Sequence, residues 1–237
     1  MTSSGKLNKK TVSKGTASSK GKLALISLST LAALTLTASQ APKLFPKPIL
    51  EHTKYTVISV IDGDTFDTKE NQRIRINGIE APEKGLCGAD IATETLKKII
   101  HDKSVYLKIV YLDTYRRMVA DVYTEDGTLV AETLARGGLA LVEQKAEVNQ
   151  TLVEAGKEAR AKKKGIFSET CTQMENTERP NCAIKGNRDM QKQTAIYFTS
   201  ECRLYNLTII QKYQGDEWFC SEKEAVGAGY KKAENCY

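Results

Sequence analysis

Val60-Ile61-Asp62-Gly63-Asp64-Thr65 and the later Arg75-Ile76-Asn77-Gly78-Ile79-Glu80-Ala81-Pro82-Glu83 decide how this chain is read. The first run closes a β-rich, alternating segment, residues 55–61, on a turn made by Asp62-Gly63-Asp64. Segments 66–68 and 73–79 continue as strands. Outward from there, residues 89–101 place Ile91, Leu96 and Ile99 at helical spacing, and 105–112 and 118–123 read as two more strands. Asp126-Gly127 is a turn. Residues 129–136 form a short helix closed by Gly137-Gly138, and 148–164 a charged helix with Leu152, Ala155 and Ala159 on one face. Strands come first, with helices interleaved and last, so the expected class is mainly β with α: a small barrel with packed helices.

The same stretch carries an inventory suited to phosphodiester chemistry. Carboxylates at Asp64 and Glu80 suit a hard cation, the Arg75 guanidinium suits a phosphate, and Glu83 supplies an acid for an attacking water. A second arginine follows at Arg117. The ordinary alternatives are a turn aspartate satisfying its own backbone, which Asp62 fits best, and surface ion pairs for the arginines.

Five pieces in order then resemble the staphylococcal nuclease (thermonuclease) family across residues 55–169. They are Val60 to Thr65, Arg75 to Glu83, Asp113-Thr114-Tyr115-Arg116-Arg117, Leu134-Ala135-Arg136-Gly137-Gly138-Leu139-Ala140, and Ala159 to Glu169 with Gly165-Ile166-Phe167-Ser168-Glu169. The resemblance implies a five-stranded OB-fold barrel, a fold whose face often meets nucleic acid. It implies Ca²⁺ as cofactor, held by Asp64, Glu80 and Ala81. It also implies Arg75, Glu83 and Arg117 as catalytic residues and Tyr115 beside the nucleotide. The substrate would be DNA, with RNA as a second class, and the protein a monomer. Several positions depart from the family pattern. Glu80 stands where aspartate is usual and Ala81 where threonine is usual. Thr114 replaces a common lysine and Arg116 a common glycine. Leu141-Val142-Glu143-Gln144 follow where tyrosines are common, and lost stacking would weaken base contacts by about 1–3 kcal/mol per base. The Glu80 and Ala81 departures keep open a non-catalytic OB-fold binding module at the cell envelope.

Charge does not argue for nucleic acid. Six lysines lie within the first 22 residues, with no acid among them; removing them from the thirty-five basic residues leaves twenty-nine, equal to the acidic count. Those lysines precede an apolar run at 23–38, the order of a secretory leader over residues 1–41. An uncleaved N-terminal anchor is the other reading, and both send the body of the protein across a membrane. A proline-bearing linker, 42–54, follows.

Six cysteines, with no Cys-x-x-Cys spacing and only two histidines in the chain, point to disulfides rather than zinc in an exported protein. After a second linker, 170–181, residues 182–237 change character. Cys182-Ala183-Ile184-Lys185-Gly186-Asn187, then Trp218-Phe219-Cys220, resemble the small sunset module of bacterial exported and envelope proteins. Residues 196–198, 205–210 and 217–219 read as strands, and 221–230 as a helix capped by Ser221. The expectation is a small disulfide-stabilised α+β module that could attach the protein to the envelope. The expected pairs are Cys87–Cys171, Cys182–Cys236 and Cys202–Cys220.

Overall fold

The computed structural model describes residues 52–143, 149–189, 192–234 and 236. The expected leader or anchor at 1–41, the linker up to residue 51, and Gln144 lie outside them. Strand β1 (Thr53–Val60) is followed by β2 (Thr65–Thr68), β3 (Arg73–Ile76), β4 (Ile79–Glu80), helix α1 (Ala89–Ile100), β5 (Ser104–Leu112) and β6 (Met118–Tyr123). Helix α2 (Val130–Arg136), β7 (Leu141–Val142) and α3 (Gln150–Ala161) complete this part. Five strands close into a barrel in the order β1, β2, β3, β6, β5. All its pairs are antiparallel except β3 with β6.

Closure follows from the two-residue period of the strands. Val57, Phe66, Ile74, Ile76, Val105, Leu107, Ala120 and Val122 turn inward and are buried in one core. Register shifts at Val57/Ser59 and at Ile109/Tyr111 mark bulges, which bend long strands around a barrel. The helices add Leu96 and Ile100 from α1, Leu134 from α2 and Leu152 from α3 to the same core. Each such large side chain contributes about 1.5–3 kcal/mol when fully buried. Local signals set the helix ends. Asp90 lies in the first turn of α1 and Lys97 and Lys98 in its last, complementing the helix dipole, and the Asn149 side chain caps α3 by accepting from the Thr151 N–H.

One expected strand, 73–79, is two. The chain turns at Asn77-Gly78, where Gly78 has φ 78° and the Asn77 N–H donates to the Ala120 carbonyl. This break lets β4 leave the barrel and pair with β7, Glu80 opposite Leu141.

The C-terminal part contains β8 (Thr172–Gln173), β9 (Ile184–Asp189), β10 (Thr194–Phe198), β11 (Ile210–Gln211), β12 (Glu217–Phe219), α4 (Glu222–Gly227) and β13 (Lys231–Lys232). A four-stranded sheet runs β12, β9, β10, β13. The Ile-Lys-Gly-Asn run has a structural explanation. Lys185 is buried and donates from Nζ to the carbonyls of Tyr205 and Thr208 at 3.1 and 2.8 Å. Those carbonyls therefore face the lysine, and the expected strand at 205–210 is a 3-10 turn at Tyr205–Leu207 followed by β11. A Cβ on Gly186 would stand 2.5 Å from the Phe219 ring and 2.9 Å from the Tyr230 ring, so only glycine fits there. Asn187 donates to the buried Asp216 carboxylate.

Three disulfides use all six cysteines: Cys87–Cys171, Cys182–Cys220 and Cys202–Cys236. The expected pairs Cys182–Cys236 and Cys202–Cys220 are corrected. Ile184 is in register with Phe219, which brings the neighbouring Cys182 and Cys220 together. Parallel β10 and β13 align Ile196 with Lys231, so the chain end returns to Cys202.

The segment expected as a linker, 170–181, carries β8, which pairs with β11, and buried Gln173, whose Oε1 accepts from Trp218 Nε1 at 2.8 Å. Tyr213 is buried with Ala159, Ile166 and Phe167 at the end of the barrel part. No helix among the described residues is long and apolar enough to cross a membrane.

Candidate active site

The turn between β1 and β2 is wedged against α1. A Cβ on Gly63 would lie 2.6 Å from Ala81 Cβ and 2.7 Å from Ala92 Cβ, so glycine lets the turn approach both. Asp62 satisfies this turn, its Oδ1 accepting from the Asp64 N–H at 3.0 Å. Burial pushes the Asp62 carboxyl up, against that hydrogen bond.

Asp64, 3% exposed, is the hub. Its Oδ1 accepts from Arg75 Nη1 at 2.5 Å and from Thr65 Oγ1 at 2.9 Å; its Oδ2 accepts from the Ala81 N–H at 2.8 Å. Arg75 Nη2 donates to the Ile79 carbonyl at 3.3 Å, which sets the plane of the guanidinium. Burial works against the Arg75 cation, but the Asp64 carboxylate outweighs it, with Glu143 and Glu80 adding, and holds the guanidinium above its usual range. Ala81 meets Asp64 through its backbone while its methyl is buried, so the residue needs no hydroxyl for this contact.

Glu80 is exposed on β4, and Glu83 is exposed in the following turn, where its carbonyl accepts from the Leu86 N–H. Both line a cavity of about 660 Å³ with Ala81, Leu86 and Leu141. Arg117 immediately precedes β6, two residues from Val119, the register partner of Arg75. Its Nε donates to Asp113 Oδ2 at 2.7 Å, and its guanidinium carbon stands 5.3 Å from the Tyr115 ring centre. Asp113 Oδ1 also accepts from the N–H groups of Tyr115 and Arg117, which fixes the loop. Tyr115 is 79% exposed, with the Arg117 guanidinium over its ring.

The structure thus joins Asp64, Arg75 and Ala81 by direct contact, places Glu80 and Glu83 on one cavity, and pairs Arg117 with Tyr115. Two features escaped the sequence reading. Glu143 acts on Arg75 because its N–H is tied to the Gly78 carbonyl beyond β7, a pairing without local signature. The second is the opposite wall of the cavity, which comes from the C-terminal module. A further cavity of about 650 Å³ lies beside Glu132 and Arg136, where Arg136 is paired with both Glu132 and Glu158.

Among the described residues no group of three or more His, Cys, Asp or Glu side chains is placed to hold a metal ion. Glu80 lines the cavity and Asp64 stands behind Ala81, its two oxygens already accepting from Arg75, Thr65 and the Ala81 N–H; oxygen donors of this kind fit a hard cation held by few protein ligands and completed by water and phosphate.

The family described as staphylococcal nuclease homologue matches residues 73–169, a span that takes in Arg75, Glu80, Glu83 and Arg117 but begins after Asp64. The chain is 34% identical over 116 residues to a protein of Escherichia coli O157:H7 named "Uncharacterized endonuclease", covering 48% of this chain and 76% of that one. An Escherichia coli protein of the same name is 33% identical over the same length and shares. A staphylococcal-like nuclease of Arabidopsis thaliana is 30% identical over 108 residues, 46% of this chain and 32% of the plant protein. Closed barrel, helix order and these likenesses agree: the chain belongs to the staphylococcal nuclease homologue family.

Proposed function

We propose that this protein is an exported, Ca²⁺-dependent nuclease that hydrolyses phosphodiester bonds of DNA, with RNA as a second substrate class. The observation that carries the reading is the cluster around Asp64: one buried carboxylate orients Arg75 and the backbone of Ala81, and Ala81 lines a cavity with Glu80 and Glu83. Family membership and the relatives' names as endonucleases support nuclease activity. Three disulfides support export into an oxidising compartment.

The residues divide the work by charge. Asp64, Glu80 and the Ala81 carbonyl would hold the cation, which when bound neutralises charge on the phosphate. Arg75 and Arg117 donate to the non-bridging oxygens, where negative charge gathers as water adds to phosphorus. Planar guanidinium suits that geometry better than an ammonium. Glu83 accepts the proton of the attacking water or orients it, and the exposed Tyr115 ring stacks on a base.

The test is cleavage of single- and double-stranded DNA with Ca²⁺, with Mg²⁺ and with chelator. Glu83→Gln and Arg117→Ala are expected to lower turnover by about 10²–10⁴-fold with unchanged circular dichroism. Wild-type turnover in either folded variant would overturn the assignment.

A further inference from the structure

The cavity bearing Glu80 and Glu83 is walled on its other side by the C-terminal module, through Asn187, Arg188 and Asp189 at the end of β9 and through Tyr213 and Gln214. The two walls are tied to each other. Cys87, four residues after Glu83, is bonded to Cys171. The next residue, Thr172 of β8, pairs with Gln211 of the module, and the Lys212 N–H donates to the Cys171 carbonyl at 2.8 Å. Tyr213 is buried against Phe167, rings edge to face at 6.1 Å. The module is therefore clamped beside Glu83 by a covalent bond, a strand pair and an aromatic contact, and is not a separate bead on a tether.

Arg188 is the cation on that second wall. Its N–H donates to Asp216 Oδ1 at 2.8 Å, and the same carboxylate takes the Gln211 N–H at 2.9 Å, which locks the end of β9 to the clamp. Its side chain lies over Tyr230, the guanidinium carbon 4.9 Å from the ring centre, with Nε donating to the phenol oxygen at 3.2 Å. Its Nη2 is paired with Glu217 Oε1 at 3.8 Å, and 35% of the side chain is exposed. A guanidinium oriented by an aromatic face, with about a third of its side chain in water, can take up an anion beside its Glu217 partner.

We propose that Arg188 binds a backbone phosphate of a single-stranded nucleic acid lying in this cleft, next to the phosphate held by the barrel residues, so that the module forms part of the substrate site. The proposal rests on the nuclease reading for the identity of the anion. A single strand is favoured because a duplex is stiff over about 50 nm, whereas a flexible strand can follow a cleft walled on two sides.

The experiment measures binding without cleavage. A fluorescein-labelled oligothymidylate is titrated by anisotropy in chelator with the full chain and with Arg188→Ala and Arg188→Lys, from 25 to 200 mM salt. Loss of one phosphate contact is expected to weaken the alanine variant by about tenfold at low salt. It is also expected to flatten the slope of log affinity against log salt by about 0.7, while lysine keeps the slope. Wild-type affinity and slope in Arg188→Ala overturn the proposal. So does weakened binding with an unchanged slope and a lowered Tm, the mark of a purely structural role, and so does failure of the wild-type chain to bind. If wild type binds with the expected salt dependence but cleaves nothing with Ca²⁺, the nuclease reading fails and the phosphate contact stands.

Discussion

Asp64→Asn removes one charge and one acceptor from the centre of the site while keeping its shape. The Asp64 side chain is 5% exposed and that of Arg75 19%. The carboxylate serves three donors: Arg75 Nη1, Thr65 Oγ1 and the Ala81 N–H. An amide can still accept from one side, but its nitrogen then faces a donor on the other. The loss of a charge-assisted hydrogen bond costs about 1.5–3 kcal/mol. Breaking a fully buried ion pair costs about 3–5 kcal/mol. Because a fifth of Arg75 remains in water, which screens its charge, the expected loss is about 2–4 kcal/mol. For a domain of this size 1 kcal/mol moves Tm by about 2–4 °C. Thermal unfolding followed by circular dichroism in chelator, disulfides intact, is expected to show a Tm lowered by about 4–16 °C. A Tm within a degree of wild type would refute the argument that this carboxylate organises Arg75 and Ala81.

Gly63→Ala places a methyl 2.6–2.7 Å from the methyl groups of Ala81 and Ala92, so the turn or α1 must move; overpacking of this kind costs about 1–3 kcal/mol and lowers the urea midpoint, and an unchanged midpoint would show that the close approach is not needed. The Tyr197 phenol donates to Glu222 Oε2 at 2.7 Å, and that carboxylate, helped by burial, pushes its pKa up to about 12. An acid held protonated in the fold keeps its full contribution below the unfolded value near 10, and loses it as pH rises towards 12. Tyrosine-selective NMR titration should find Tyr197 neutral at pH 11 and Glu222→Gln should lower its pKa; ionisation near 10 in the wild type would rule the contact out.

The parts of the fold legible in the sequence are those written by short-range sterics. Strand β6 and helices α1 and α2 fall where alternation, helical spacing and the Gly137-Gly138 stop place them, because one face of each must be apolar to reach the core. The run Asp62 to Thr65 reads as a turn because aspartate and glycine satisfy and permit that backbone. The order of Asp64, Arg75, Glu80, Glu83 and Arg117 was legible too, as a pattern of chemistry.

Other features depend on partners distant in sequence. The turn at Asn77-Gly78 interrupts an apolar run that local pattern reads as continuous; the Ala120 carbonyl and β7 decide it. The disulfides of the module follow strand register, Ile184 with Phe219 and Ile196 with Lys231, and register is set by packing of both faces at once. The partition is physical. Residue types and their spacing determined which segments become strands, helices and turns and which chemical groups the chain carries. Only the closed barrel and the clamped module decided which groups meet: Asp64 with Arg75, Glu143 acting on the same arginine, and Arg188 across the cavity from Glu83. Local preferences act over a few residues, whereas those meetings require chain segments far apart to be brought together by a shared core and a disulfide.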